Sequence, residues 1–234
     1  IQPGMPGLVV LLVVSSLSIL AAFLTKQAAN FALPGWGWVG VGCVLTVGLV
    51  ALRLQQTAGL AFPAWVDSVH HTYIVQIFRE VGGIPVTLPL VPAVDFHYHY
   101  GFHLLAAEFA TLANLQSTDA LLWIGPALYV ALLWGMVGLG RALGLERRAA
   151  WLAGIFSQFV LFMPAYYISW GRYTLLTGLV VLLPALTALL KIHQARAQGR
   201  SADLRQSIQL ALLVAGLCLS HYFAMLLFLL FLFV

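Results

Sequence analysis

Six long uncharged apolar runs dominate this sequence: Met5 to Leu24, Leu33 to Leu52, Ala120 to Gly140, Ala149 to Ser169, Tyr173 to Leu190 and Ile208 to Val234. Each is near the roughly 20 residues that a helix needs to cross a bilayer core of about 30 Å. Lipid offers no partner to backbone amides, so runs of this length are expected to be helices. Only 8% of residues are charged and the mean hydropathy is +0.98, far from the roughly 25% charge of soluble domains. The expected fold class is all-α: a polytopic transmembrane helical bundle, with an extracytoplasmic loop that carries a surface amphipathic helix.

The chain begins at Ile1 and ends at Val234 inside an apolar run, so residues 1–234 are read as one transmembrane module from a longer protein. The first run has no basic n-region and no small-residue cleavage site, unlike a signal peptide. Cys43 and Cys218 fall inside expected spans and suggest no disulfide framework. The net charge of +4 comes from a few loop arginines and lysines, which points to membrane orientation and not to nucleic acid.

Those loops set the expected sidedness. Lys191 to Arg205 and Arg141 to Arg148 are basic, so the positive-inside rule places both in the cytoplasm, with Lys26. Residues 53–118 and the turn Ser169 to Arg172 then fall on the opposite side. The parity closes only if Gly101 to Asn114 does not cross; it is short and holds His103 and Glu108, which are costly in hydrocarbon. No pairing of broken helices in the two halves is expected, and the location implied is a prokaryotic plasma membrane.

Five of the seven histidines and three of the seven acids lie between residues 67 and 103. Ser68 to Val81 has helical periodicity, with Val69, Tyr73, Ile74, Ile77, Phe78 and Val81 on one side and His70, His71, Gln76, Arg79 and Glu80 on the rest. Gly82-Gly83 ends it, and such a helix is expected to lie with its apolar side in the membrane interface. Asp67 precedes it, either as an N-cap or as a catalytic carboxylate held at a helix start, two compatible roles. His70 and His71 follow within one turn. His97 and His99 point the same way if extended, and His99 and His103 share a face if helical. Hydrogen bonding to a polar substrate or a lipid phosphate is the favoured role for these histidines; divalent metal binding is the weaker alternative. Trp170 and Arg172 stand in the turn on the same side, where a guanidinium suits phosphate oxygens. His221 lies near the middle of the last expected span.

Val66-Asp67-Ser68-Val69-His70-His71 through Gly82-Gly83-Ile84-Pro85 resembles the first outer loop of the GT-C superfamily of membrane glycosyltransferases. His97-Tyr98-His99-Tyr100-Gly101-Phe102-His103 resembles the segment that follows in bacterial members, and Pro164 to Tyr173 resembles a later outer turn. The resemblance implies sugar transfer from a polyprenyl-phosphate or pyrophosphate donor, with Asp67 as general base. His70, His71 and Arg172, with Trp170 beside it, would recognise donor phosphate, and His97, His99 and His103 would line the acceptor side. Two departures matter. The turn at Trp170 lacks the acidic motif by which oligosaccharyltransferases bind metal, which implies a metal-free mechanism and no cofactor. Ser68 stands where related mannosyltransferases often carry a second acid. The implied partners are membrane lipid and the polyprenyl-phosphate sugar, with other membrane subunits as a further class. Two alternatives belong to other classes: a structural or cofactor-holding subunit with His103 and His221 on a haem or chlorin, and a transporter or flippase of a lipid-linked substrate.

Overall fold

The computed structural model describes residues 36–201 and 203–232. The run Met5 to Leu24 and Lys26 lie outside them. The described residues form nine helices and one short hairpin: α1 (Trp36–Thr57), α2 (Val66–Val81), β1 (Thr87–Leu88), β2 (Val91–Asp95), α3 (Gly101–Leu112), α4 (Ser117–Ala142), α5 (Arg147–Phe159), α6 (Phe162–Ser169), α7 (Tyr173–Ala197), α8 (Leu204–Ser220) and α9 (Tyr222–Leu230). Three helices are long and apolar enough to cross a membrane, in α1, α4 and α7, and α5 with α6 would make a fourth.

The long helices α4 and α7 run in parallel and fix two ends of the bundle. At one end Gln194 Nε2 of α7 donates to the Ala142 carbonyl of α4 at 2.8 Å, and the basic loops follow. At the other end Ser117, which opens α4, donates to Gln76 Oε1 of α2 at 2.7 Å and accepts from Arg79 at 3.2 Å. About 25 residues at 1.5 Å each separate the ends by roughly 37 Å. Between them the core is close-packed around Phe102, Leu121, Tyr129, Leu133, Tyr173 and Leu176, all 1% exposed or less.

Two of the expected spans are interrupted. Ala149 to Ser169 divides into α5 and α6, bent by 43°. Pro164 has no N–H to continue the ladder, and Met163 before it is extended (φ −99°, ψ 137°), as a residue preceding proline prefers. The break frees the Gln158 carbonyl. Buried Arg53 donates to it at 3.3 Å and to the Tyr129 hydroxyl at 2.8 Å, and that hydroxyl donates to the same carbonyl. Neighbouring side chains thus satisfy backbone that a broken helix exposes. Ile208 to Val234 is also not one helix. His221 is extended (φ −166°, ψ 124°), and its Nδ1 accepts the Phe223 N–H at 3.2 Å. The imidazole has replaced a rung of the ladder. These interruptions correct the expectation of unbroken helices.

The segment from Gly101 does form a helix, and α3, with 12 residues, extends only about 18 Å. That is too short to cross. The hairpin was not expected; Val86-Thr87-Leu88 and Val91 to Val94, separated by Pro89-Leu90, carry the apolar alternation of two short strands. It is pinned to α2 where the Leu90 N–H donates to the Tyr73 hydroxyl at 3.1 Å.

Candidate functional site

Helix α2 carries the acid and two of the histidines, and its register differs from the expected one in two ways. The helix begins at Val66, with Trp65 in the N-cap position, and no side chain caps it. Asp67 is therefore inside the first turn and is not the cap. Its carboxylate is drawn sideways by Arg172, whose Nε lies 3.0 Å from Oδ2. The charge still lies near the positive end of the helix dipole. The buried face also differs: Ser68, His71, Thr72, Ile74, Val75 and Phe78 pack inward, while Val69 and Val81 are more than half exposed. The apolar side of α2 thus packs on α3 and α4 within the protein. His71 can join it because His103 supplies a polar partner.

That partner lies at 2.9 Å, between His71 Nδ1 and His103 Nε2, with one ring nitrogen donating to the other. Burial pushes the His71 imidazole down to about 3, assisted by His99, His70 and Arg172. Burial likewise lowers His103 far below its ordinary range. Both rings are neutral near pH 7, so the pair is a hydrogen-bonded unit. His103, 0% exposed, stands behind the site.

The turn Trp170-Gly171-Arg172 closes over the start of α2. Gly171 is left-handed (φ 67°), and a Cβ there would overlap Ser68 Oγ and come within 2.9 Å of the Ser68 backbone nitrogen. Ser68 is fully buried beneath it, its hydroxyl donating to the Ala64 carbonyl. A carboxylate in place of Ser68 has no room, which accounts physically for the serine beside Asp67. Trp170 holds the arginine from below, with the guanidinium carbon 4.5 Å from its ring centroid.

A cavity of about 520 Å³ opens at this end of the bundle. Asp67, His70, His71, His97, Arg172, Thr174 and His221 line it together with Ile74, Leu88, Val94 and Phe96. This is within the usual size of small-molecule sites, which set a few polar groups in an apolar wall. Asp67 Oδ2 is buried against Arg172 Nε, while the side chain as a whole is 29% exposed and lines the cavity. A carboxylate that lines a cavity with its other oxygen left free is suited to take a proton from a bound hydroxyl.

The three later histidines diverge. His97 is at the exposed rim, 4.0 Å from Asp95. His99 lies behind the wall, its ring stacked on Tyr98 at 3.9 Å and 4.6 Å from His221; burial, then His221, lowers its pKa to about 4. Helix α3 begins only at Gly101, so His99 and His103 do not share a helical face, and only His97 of the three lines the cavity. Among the described residues no three His, Cys, Asp or Glu side chains converge to hold a metal ion. His221 is the lining residue that the sequence placed in mid-helix. Gly101 brings it there: a Cβ at that position would lie 2.9 Å from the Leu219 carbonyl oxygen, so the start of α3 presses directly on the end of α8.

Compared with protein-family models, curated proteins and solved structures, the chain matches none.

Proposed function

We propose that this chain is the multi-pass membrane module of a GT-C-like glycosyltransferase that transfers a sugar from a polyprenyl-phosphate donor on the extracytoplasmic face. The observation that carries the reading is Asp67: a part-exposed carboxylate that lines a cavity, with one oxygen buried against an arginine. In the transfer, Asp67 takes the proton of an acceptor hydroxyl while that oxygen forms its bond to the anomeric carbon. The bond from anomeric carbon to phosphate oxygen breaks, and the phosphate leaves with the electron pair, stabilised by Arg172. No atom of the reaction needs a metal. Ile74, Leu88, Val94 and Phe96 supply apolar wall for the first units of a lipid tail.

The test is incorporation of labelled sugar from a polyprenyl-phosphate sugar by the purified protein in lipid. We expect transfer that continues undiminished in excess EDTA. Activity lost to EDTA and restored by manganese or magnesium would overturn the metal-free mechanism, and no transfer with any donor would overturn the enzyme reading.

The sidedness rests on the bundle's two ends, since the basic loops lie opposite the cavity and basic loops stay in the cytoplasm. With Cys43 and Cys218 replaced, single cysteines at Leu90, 76% exposed at the hairpin tip, and at Arg200 should react with an impermeant thiol reagent from opposite sides. Labelling from one side removes the arrangement.

A second reading, a transporter or flippase for the same class of lipid, is favoured by the breaks between α5 and α6 and between α8 and α9, since discontinuous helices often form transport sites. It requires lipid-linked sugar to cross proteoliposome membranes without transfer. The cofactor-holding alternative is less well supported, because His103 Nε2 is already taken by His71 in a packed core.

A further inference from the structure

We propose that His221 binds the phosphate of the cavity's ligand, donating from Nε2 alongside Arg172. The inference rests on the reading above only in requiring that the ligand carry a phosphate; no transfer chemistry enters it.

The tautomer is fixed by the fold. His221 Nδ1 accepts the Phe223 N–H, so it carries no proton, and a neutral imidazole then bears its proton on Nε2. The same residue lines the cavity with Arg172. Its extended backbone at the break sets the ring between the end of α8 and the start of α9, and Gly101 holds that break against α3. The ring is therefore a pre-oriented donor on a rigid support.

Charge shows why a second donor is needed. Arg172 already faces Asp67, and Asp95 also lines the cavity, so the guanidinium charge is offset before a ligand arrives. Arg172 meets Asp67 through Nε, and its terminal nitrogens make no hydrogen bond to a described residue. They can reach a phosphate oxygen, but an offset charge alone holds an anionic phosphate weakly. A neutral N–H on another wall adds a directed hydrogen bond without changing the charge, and oxygens of a tetrahedral anion accept from different directions.

Two isosteric variants separate the nitrogens. His221→Asn places an oxygen where Nδ1 accepts, and Asn is a good N-cap, so α9 stays capped and the Nε2 donor is lost. His221→Gln reaches the Nε2 position with an amide donor and gives up the cap. Titration calorimetry on the whole chain in detergent would compare farnesyl phosphate, farnesol and inorganic phosphate. We expect farnesyl phosphate to bind more tightly than farnesol, and His221→Asn to weaken it about 10- to 100-fold, as for a lost hydrogen bond to a charged group, at an unchanged thermal midpoint. His221→Gln should bind within about threefold of the original at a lower midpoint; weaker binding in both variants also supports the proposal if the Asn midpoint holds. Competition by inorganic phosphate would assign the site to phosphate alone, and its absence to a lipid phosphate. Three results overturn the proposal: unchanged binding in His221→Asn, weakening matched by a midpoint as low as that of His221→Gln, or no preference of the original chain for farnesyl phosphate over farnesol. The last removes the anion site and leaves the base role of Asp67 to be judged by turnover.

Discussion

Replacing Asp67 by Asn is expected to abolish sugar transfer while leaving the fold in place. A positioned general base contributes on the order of 100- to 10,000-fold in rate, and Asn keeps the shape of the side chain but cannot hold the proton. The stability change should be small. No side chain caps α2, and the ion pair with Arg172 joins side chains that are 29% and 44% exposed, where such pairs are worth about 0–1 kcal/mol. Asp67→Ala should therefore match Asp67→Asn in thermal midpoint. A cap would behave otherwise, with Ala about 1 kcal/mol less stable than Asn. Turnover and melting of both variants, measured on the same preparations, check the expectation. Full activity in the Asn variant removes the main reason to regard this chain as an enzyme.

What the sequence disclosed about this site, and what it hid, follows from the range of the interactions involved. The long helices were legible because apolar run length is a local property, and α4 and α7 coincide closely with their runs. The breaks were less so. Pro164 carried a signal, yet Pro126 and Pro184 sit inside α4 and α7 without ending them; what differs is tertiary, since Arg53 and Tyr129 are placed to satisfy the carbonyl freed near Pro164. His221 had no local signal at all, as neither glycine nor proline marks the break. At the site, the cluster of histidines and acids pointed to one stretch of chain, and Asp67, His70, His71, His97 and Arg172 line one cavity. Their roles were not legible. The helical period alone put His71 on the polar side, because the partner that makes its burial tolerable, His103, lies 32 positions away. Of the two compatible roles read for Asp67, the cap fails for the same reason: the competing cation comes from a turn more than a hundred residues later.

That turn depends on one glycine, and its loss is expected to have the second largest effect. Gly171→Ala should lower stability by about 2–5 kcal/mol, combining roughly 1–2 kcal/mol for a left-handed L-residue with about 1–3 kcal/mol for forcing a methyl into filled space. The space is filled by Ser68, whose hydroxyl and backbone nitrogen meet the new Cβ. Gly199→Ala isolates the first contribution, since Gly199 is also left-handed (φ 70°) but its Cβ would meet nothing within 4 Å. It should lose only about 1–2 kcal/mol and keep full transfer activity, because it lies in the basic loop at the far end of the bundle. Gly171→Ala must either unfold the turn or lift it from α2, and lifting it carries Arg172 away from Asp67. The surviving folded fraction should then bind farnesyl phosphate less tightly and turn over more slowly than its fraction folded accounts for. Equal midpoints for the two alanine variants would mean that the turn does not rest on Ser68, and the joining of Asp67 to Arg172 would lose its structural basis.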